Sequence, residues 1–265
     1  MPTPSPARLH SFEVVSNEPI ANGINSLVIR APKLAEALVP GQFVNIAVPG
    51  NPSSLLRVPL SFARADADEG TVEIWYAVVG DGTRRLSAME PGSTSDLLGP
   101  GGHGWRAPAE ASSALLVAGG IGVPPVLCLA GELARRPGMR LRVAIGAARA
   151  DMLVGIEELL DLDCDVRVEV ATDDGSAGHH GFCTDLRADM LSEEGFDYIA
   201  TCGPEPMMRK VAAAAHEAGV PCEVSVERMM SCGFGACNTC NVETRDGMVG
   251  ACMCGPVFDA EEVVW

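Results

Sequence analysis

Between residues 9 and about 100, apolar and polar positions alternate in short runs. The runs are Phe12-Glu-Val-Val, Ser26-Leu-Val-Ile-Arg30, Gln42-Phe-Val-Asn-Ile-Ala-Val48, Leu56-Arg-Val-Pro-Leu-Ser-Phe62 and Thr71-Val-Glu-Ile-Trp-Tyr-Ala-Val-Val79. Pro40-Gly41, Pro49-Gly50, Asp68-Glu-Gly70 and Pro91-Gly92 punctuate them. A period of two between turn residues predicts half-buried strands in an antiparallel barrel or sandwich. One short helix is expected from Thr83 to Met89, and the loop Gly99-Pro-Gly-Gly-His-Gly104 marks a domain boundary.

From about 113 to 227 the pattern changes. Runs rich in apolar and β-branched residues, Ala114–Ala118, Leu141–Ile145, Val166–Val170, Tyr198–Thr201 and Glu223–Val226, predict buried-type strands. Helical segments are expected between them, at Pro124–Arg135, Met152–Leu160, Asp185–Leu191 and Glu205–His216. Such βα alternation predicts a parallel sheet with helices on its faces. The remaining residues are too few to build a large core. Three units follow: a β-barrel domain over 1–104, a βα domain over 105–227, and a C-terminal segment over 228–265.

That segment holds the strongest chemical signal. Cys232, Cys237 and Cys240 are spaced C-x4-C-x2-C, and Cys252 follows after eleven residues. Four thiolates in this order fit a [2Fe–2S] cluster of the plant-ferredoxin type with a shortened last gap. Gly233, Gly235 and Ala236 let the backbone approach the sulfurs closely. Zinc ligands usually come as two separated pairs, and unligated or disulfide cysteines are the other alternative. Cys254 competes with Cys252 as the fourth ligand.

Two glycine-rich turns in the βα region point to a dinucleotide. Gly119-Gly-Ile-Gly-Val-Pro-Pro125 follows one strand and opens a helix. Gly119, Gly120 and Gly122 admit a pyrophosphate to the helix N-terminus, although a tight ligand-free turn reads the same way. Thr201-Cys-Gly-Pro-Glu-Pro-Met-Met208 repeats the arrangement, with Gly203 in the turn and Glu205 in the first helical turn, where a carboxylate is favoured. Cys202 lies where a nicotinamide would rest, and is the candidate catalytic side chain. In the barrel, Arg57-Val-Pro-Leu-Ser61 suits a flavin diphosphate and ring, Tyr76 can stack, and Gly80–Arg84 enters a helix. Each has a bland alternative as surface charge, core filler or N-cap.

The 265 residues carry 19 basic and 35 acidic side chains, a net charge of −16, which excludes nucleic acid and anionic membranes as partners. No apolar stretch of membrane-spanning length and no secretory h-region occurs. Ten cysteines in such a chain point to redox or metal chemistry in a reducing, cytoplasmic compartment.

The order of these units resembles the electron-transfer subunits of NAD-dependent (class 1B) dihydroorotate dehydrogenase, within the ferredoxin reductase superfamily. The resemblance spans essentially the whole chain. It rests on Pro40-Gly-Gln-Phe43, Arg57-x-Pro-Leu-Ser61, Tyr76 to Arg84, Leu98-Gly-Pro100, Gly119–Pro125, Asp174-Gly-Ser176, Cys202-Gly-Pro204, Glu227-Arg-Met229, the cysteine motif and Gly255-Pro-Val-Phe258. It implies FAD on Arg57, Pro59, Leu60, Ser61, Tyr76, Val78, Thr83 and Arg84, NAD on the βα domain, and a cluster on Cys232, Cys237, Cys240 and Cys252. The family places its fourth ligand three residues before Gly-Pro-Val-Phe, which selects Cys252. The implied partner is an FMN-containing catalytic subunit that oxidises dihydroorotate, in a heterotetramer of two plus two. Val58 stands where the family usually has a second arginine, and Cys254 where it usually has no cysteine. Arg149, near the end of the second βα strand, is placed where a guanidinium can favour the 2′-phosphate of NADP, although the resemblance implies NAD. The competing readings are a stand-alone NAD(P)H-dependent reductase feeding a ferredoxin or oxygenase, and a zinc-binding scaffold.

Overall fold

A computed structural model describes residues 7–48, 56–193 and 195–265. The proline-rich stub at 1–6 and the Pro49-Gly50 turn lie outside them. The first sheet is built from β1 (Arg8–Ala21), β2 (Ile24–Arg30), β3 (Phe43–Ile46), β4 (Val58–Ser61), β5 (Arg64–Asp66), β6 (Thr71–Ala77) and β7 (Thr94–Gly101). Helix α1 (Pro32–Ala35) follows β2, and α2 (Asp81–Leu86) follows β6. The order β4-β3-β7-β1-β2-β6-β5 is antiparallel throughout and curls into a half-barrel. Phe12, Leu27, Ile29, Val44, Ile46, Phe62, Ile74, Tyr76 and Leu97 fill its interior. Alternation along each strand sends these side chains to one face. Burying each large one contributes about 1.5–3 kcal/mol.

The second sheet comprises β8 (Ser113–Gly119), β9 (Arg140–Ala147), β10 (Asp165–Thr172), β11 (His179–His180), β12 (Tyr198–Cys202) and β13 (Cys222–Ser225). Helices α3 (Val123–Leu133), α4 (Ile156–Leu160), α5 (Cys183–Glu193) and α6 (Glu205–Ala218) connect them. Every residue of β8 is buried. Its side chains alternate between two cores. Leu116 packs with Val126, Leu129 and Leu133 of α3. Leu115 and Val117 pack with Met208 and Val211 of α6 on the other face. The strand order β11-β10-β9-β8-β12-β13 reverses direction between β8 and β12. That reversal opens a crevice at their carboxyl ends, the usual ligand position in open α/β sheets.

The C-terminal segment carries hairpin β14 (Asn241–Thr244) and β15 (Gly247–Gly250), helix α7 (Ala251–Cys254) and β16 (Val257–Asp259). β16 pairs antiparallel with β13 and extends the second sheet. Cys240 and Cys252 are buried in the same core as Leu115 and Val224. The cysteine segment is thus built onto the βα sheet through its own last strand.

The linker after β7 is fixed on several sides. His103 N–H donates to the Gly255 carbonyl (2.6 Å) and Trp105 N–H to the Pro40 carbonyl (2.9 Å). The Trp105 indole N–H reaches the Pro125 carbonyl (3.1 Å). Buried Glu223 accepts from the Arg106 backbone (2.7 Å), the Arg106 guanidinium (3.0 Å) and the Tyr198 hydroxyl (2.6 Å). Ile24, Ala63 and Trp75 of the barrel share the core of the βα sheet. These contacts set the barrel against the β8–β12 crevice.

Candidate functional site

A cleft of about 660 Å³ runs between the half-barrel and the second sheet. Its barrel wall is Pro59, Leu60 and Ser61 of β4, Tyr76 of β6, and Thr83 of α2. The opposite wall is Gly119 at the end of β8 with Gly120 and Gly122 after it, and Cys202 at the end of β12 with Gly203 after it. Residues singled out separately, as flavin and nucleotide contacts, therefore face one another across one space. Its size and mixed lining suit an extended cofactor.

The glycines of the two turns do different work. A Cβ on Gly122 would collide with the Cys202 carbonyl oxygen, and one on Gly119 would lie 2.7 Å from Met207 Sδ. A Cβ on Gly203, whose φ is +149°, would lie 2.9 Å from the backbone N and O of Gly119. These three let the turns nest against each other. Gly120 differs: its φ is +54° and a Cβ there would meet nothing within 4 Å. That backbone faces open cleft, as close approach of a diphosphate requires. Pro124 and Pro125 fall in the first turn of α3, where no N–H is needed.

Four predicted contacts do not line the cleft. Arg57 precedes β4, and its guanidinium is held by the carboxylate and carbonyl of Asp96 on β7. Val78 donates its N–H to the Gly23 carbonyl (2.9 Å) and packs against the barrel core. Arg84 is exposed on α2. Glu205 pairs with Arg228 (3.2 Å). Arg228, Trp75, Phe43 and Ser225 also line the cleft although none of them is among the predicted cofactor contacts. Glu227-Arg-Met229 was the sequence signal for Arg228.

Local chemistry narrows several roles. The Thr83 hydroxyl accepts from the N–H groups of Val79 and Gly80 (both 3.0 Å), so its oxygen shapes the turn into α2. The Tyr76 hydroxyl donates to Asn17 Oδ1 (2.9 Å). Asn17 in turn donates to the carbonyls of Leu86 and Met89 (2.8 and 3.1 Å). Burial pushes the Tyr76 pKa up to about 12, partly offset by Asn17 and Asn25. Burial also pushes the Cys202 thiol up to about 12, so it is protonated and no nucleophile at neutral pH.

Arg149 forms a two-pronged ion pair with Asp151, Nε to Oδ1 and Nη2 to Oδ2, both 3.1 Å. Asp151 also accepts from Asn22 Nδ2 (2.8 Å). The loop is tied further by the Ala150 N–H to Ser176 Oγ (2.8 Å). Its surroundings therefore carry carboxylates as well as the guanidinium.

In the cysteine segment, the backbone N–H groups turn toward sulfur. Ala236 donates to Cys232 Sγ (3.3 Å), Gly235 to Cys252 Sγ (3.2 Å) and Cys252 to Cys240 Sγ (3.4 Å). The Thr239 hydroxyl donates to Cys237 Sγ (3.2 Å). Hydrogen bonds from Thr239 and then Cys232 lower the Cys237 pKa to about 6. Burial, then neighbouring Cys240, raises that of Cys252 to about 12. The sulfurs thus group as two pairs, Cys232 with Cys237 and Cys240 with Cys252. Two pairs supplied with N–H donors fit the two irons of a [2Fe–2S] cluster better than one tetrahedral zinc. Gly233 and Gly235 have φ of +76° and +82°, which the wrapping loop requires. Cys254 lies two residues after Cys252 on α7, turned about 200° around the helix axis.

Comparison with known proteins agrees with this geometry. Residues 227–264 match the iron–sulfur cluster binding domain of dihydroorotate dehydrogenase B. The chain is 38% identical over 257 residues to the dihydroorotate dehydrogenase B (NAD(+)) electron transfer subunit of Geobacillus kaustophilus, covering 95% of this chain and 96% of that one. It is 35% identical over 239 residues to that of Desulforamulus reducens, covering 89% and 90%. Among solved structures, one of an NADH-dependent reduced ferredoxin-NADP oxidoreductase superposes with TM-score 0.85 at 31% identity, covering 100% of this chain and 92% of that one. The ferredoxin reductase of carbazole 1,9a-dioxygenase shares the fold at TM-score 0.70 and 23% identity, covering 82% and 68%. With identity above one third over nearly its full length, the chain belongs to the family of dihydroorotate dehydrogenase B electron transfer subunits.

Proposed function

We propose that this protein receives electrons from an FMN-containing catalytic subunit that oxidises dihydroorotate to orotate, and delivers them to NAD+. The observation that carries this reading is the placement of one cleft, walled by the flavin-type strand and the nucleotide-type turns, beside a loop presenting four thiols. FAD supplies the needed conversion, because it exchanges hydride with NAD and single electrons with a [2Fe–2S] cluster. Cys232, Cys237, Cys240 and Cys252 would hold the cluster. Pro59, Leu60 and Ser61 would seat the flavin ring, with Thr83 shaping the turn beside it; Tyr76, predicted to stack on the ring, is buried in the barrel core instead and braces β6 beneath the cleft through its bond to Asn17. Arg57 and Arg84 supply positive charge at the barrel's edge for the diphosphate.

The NAD side is assigned to Gly120 and to the turn at Cys202 and Gly203. Gly119 and Gly122 hold that turn in place. Neutral Cys202 serves as a wall at the nicotinamide position and takes no proton there. Glu205 positions Arg228 at the cleft mouth through their ion pair. The carboxylate of Asp151 occupies the Arg149 fork and would repel a 2′-phosphate, which favours NAD over NADP.

The catalytic subunit is placed against the cluster loop. Phe234, Met248 and Met253 around that loop are exposed, and exposed apolar groups of this kind mark contact surfaces. The assembly is assigned as two copies of each subunit. All ten cysteines are free of disulfides, as fits a reducing cytoplasm. No helix among the described residues is long and apolar enough to cross a membrane.

The test is anaerobic purification followed by NADH addition. About two irons per chain and one FAD are expected, with both flavin and cluster absorption bleached by NADH. Zinc without iron, or a flavin that NADH cannot bleach, would contradict the assignment.

A further inference from the structure

β3 forms a wall between the half-barrel and the cysteine segment. Val44 and Ile46 face the barrel core. Phe43 faces the other way, into the core that holds Cys240 and Cys252. Asn45 shares that outward face by the period of two. It is 1% exposed, in a strand whose other members are all buried hydrophobes. An apolar residue of the same shape would suit such a slot, because a buried amide must find partners.

The amide makes one bond among the described residues: Nδ2 donates to the Cys232 carbonyl (3.1 Å). Its Oδ1 has no partner there. The fit to the loop is close, since a Cβ on Gly233 would collide with Asn45 Nδ2. On its other side, Asn45 stands in register with Pro59 of β4, which lines the cleft. One residue therefore touches the loop of the first cluster cysteine and borders the flavin strand.

We propose that Asn45 is a positioning residue that clips the cluster loop to the flavin strand and sets how readily electrons cross between the two cofactors. Holding the Cys232 carbonyl outward fixes the following peptide planes. Those planes carry the Gly235 and Ala236 N–H groups that point at Cys252 and Cys232 sulfur. Hydrogen bonds to sulfur tune cluster potential, and outer partners of metal ligands orient the ligands.

This inference rests on the function proposed above, and the test separates the two. Asn45→Leu and Asn45→Ala are prepared with the wild type as full-length holoprotein. FAD content, iron content, thermal midpoint, the electron paramagnetic resonance spectrum and midpoint potential after dithionite reduction, and the rate of cluster reduction by NADH are measured. Asn45→Leu is expected to keep its FAD and thermal midpoint. Its resonance signature and potential should shift, or its iron be lost selectively, and cluster reduction by NADH should slow about tenfold or more. An unchanged signature, potential and rate would overturn the role. Joint loss of FAD, iron and folding in both variants would also overturn it, because Asn45 would then be a packing residue. A wild-type cluster that NADH cannot reduce would count against the proposed function, while the dithionite signatures would still decide the role of Asn45.

Discussion

Cys232→Ser, Cys237→Ser, Cys240→Ser and Cys252→Ser are each expected to abolish cluster absorption and reduce dihydroorotate-to-NAD+ coupling to background. Thiolate is the soft ligand that iron–sulfur clusters require, and a serine oxygen is a harder ligand on a shorter bond, set back from both iron and the loop N–H groups. Three of the four sulfurs accept a backbone N–H, and Cys237 accepts the Thr239 hydroxyl. FAD should stay bound, because the cleft contains none of these cysteines. Cys254→Ser should keep the cluster, since that side chain projects from another side of α7. Iron analysis and the visible spectrum of the five variants check this. Loss of iron in Cys254→Ser with retention in Cys252→Ser would reassign the fourth ligand.

Gly122→Ala is expected to be the most damaging single change in the cleft. The added methyl would strike the Cys202 carbonyl oxygen, which belongs to backbone and cannot swing away. The two nested turns would have to separate, at a cost of about 3 kcal/mol or more, the upper end for overpacking. That separation also moves the diphosphate-facing backbone, so NADH affinity should fall with stability. Gly120→Ala makes the contrast. Its φ of +54° costs an alanine about 1–2 kcal/mol, but no neighbour is struck. It should remain folded and raise KM for NADH, because its methyl enters the open cleft. Thermal unfolding and NADH titration of both variants distinguish them. Equal stability loss in the two would mean that the turns are not nested as described.

The cysteine ladder was legible because cluster ligation fixes spacing along the chain. The βα alternation was legible because short strands rich in β-branched and apolar residues, β8 above all, alternate with helical segments opened by glycine and proline turns. The glycine turns were legible as turns, yet their division of labour was not. Whether a glycine faces a ligand or another turn depends on Met207, Pro204 and Cys202, which lie about eighty residues away in sequence. β5 and β7 escaped the reading because β5 has three residues and the apolar part of β7 is a single Leu-Leu step before Gly99. The pairing of β16 with β13 is a long-range contact with no local signature. For the charged groups Arg57 and Glu205 the residue type was legible as suited to a ligand, whereas the ion-pair partners that folding places within reach, Asp96 and Arg228, were not. Asn45 carried no motif at all, since its importance arises only where β3 meets the cysteine loop.

Reconstitution tests the central claim most directly. The purified protein is mixed anaerobically with an FMN-containing dihydroorotate dehydrogenase catalytic subunit, and NADH formation is followed after adding dihydroorotate and NAD+. NADH formation is expected in the mixture, none from this chain alone, and none when Cys240→Ser replaces the wild type. Oxidation of dihydroorotate by the isolated chain, or coupling that survives Cys240→Ser, would contradict the claim.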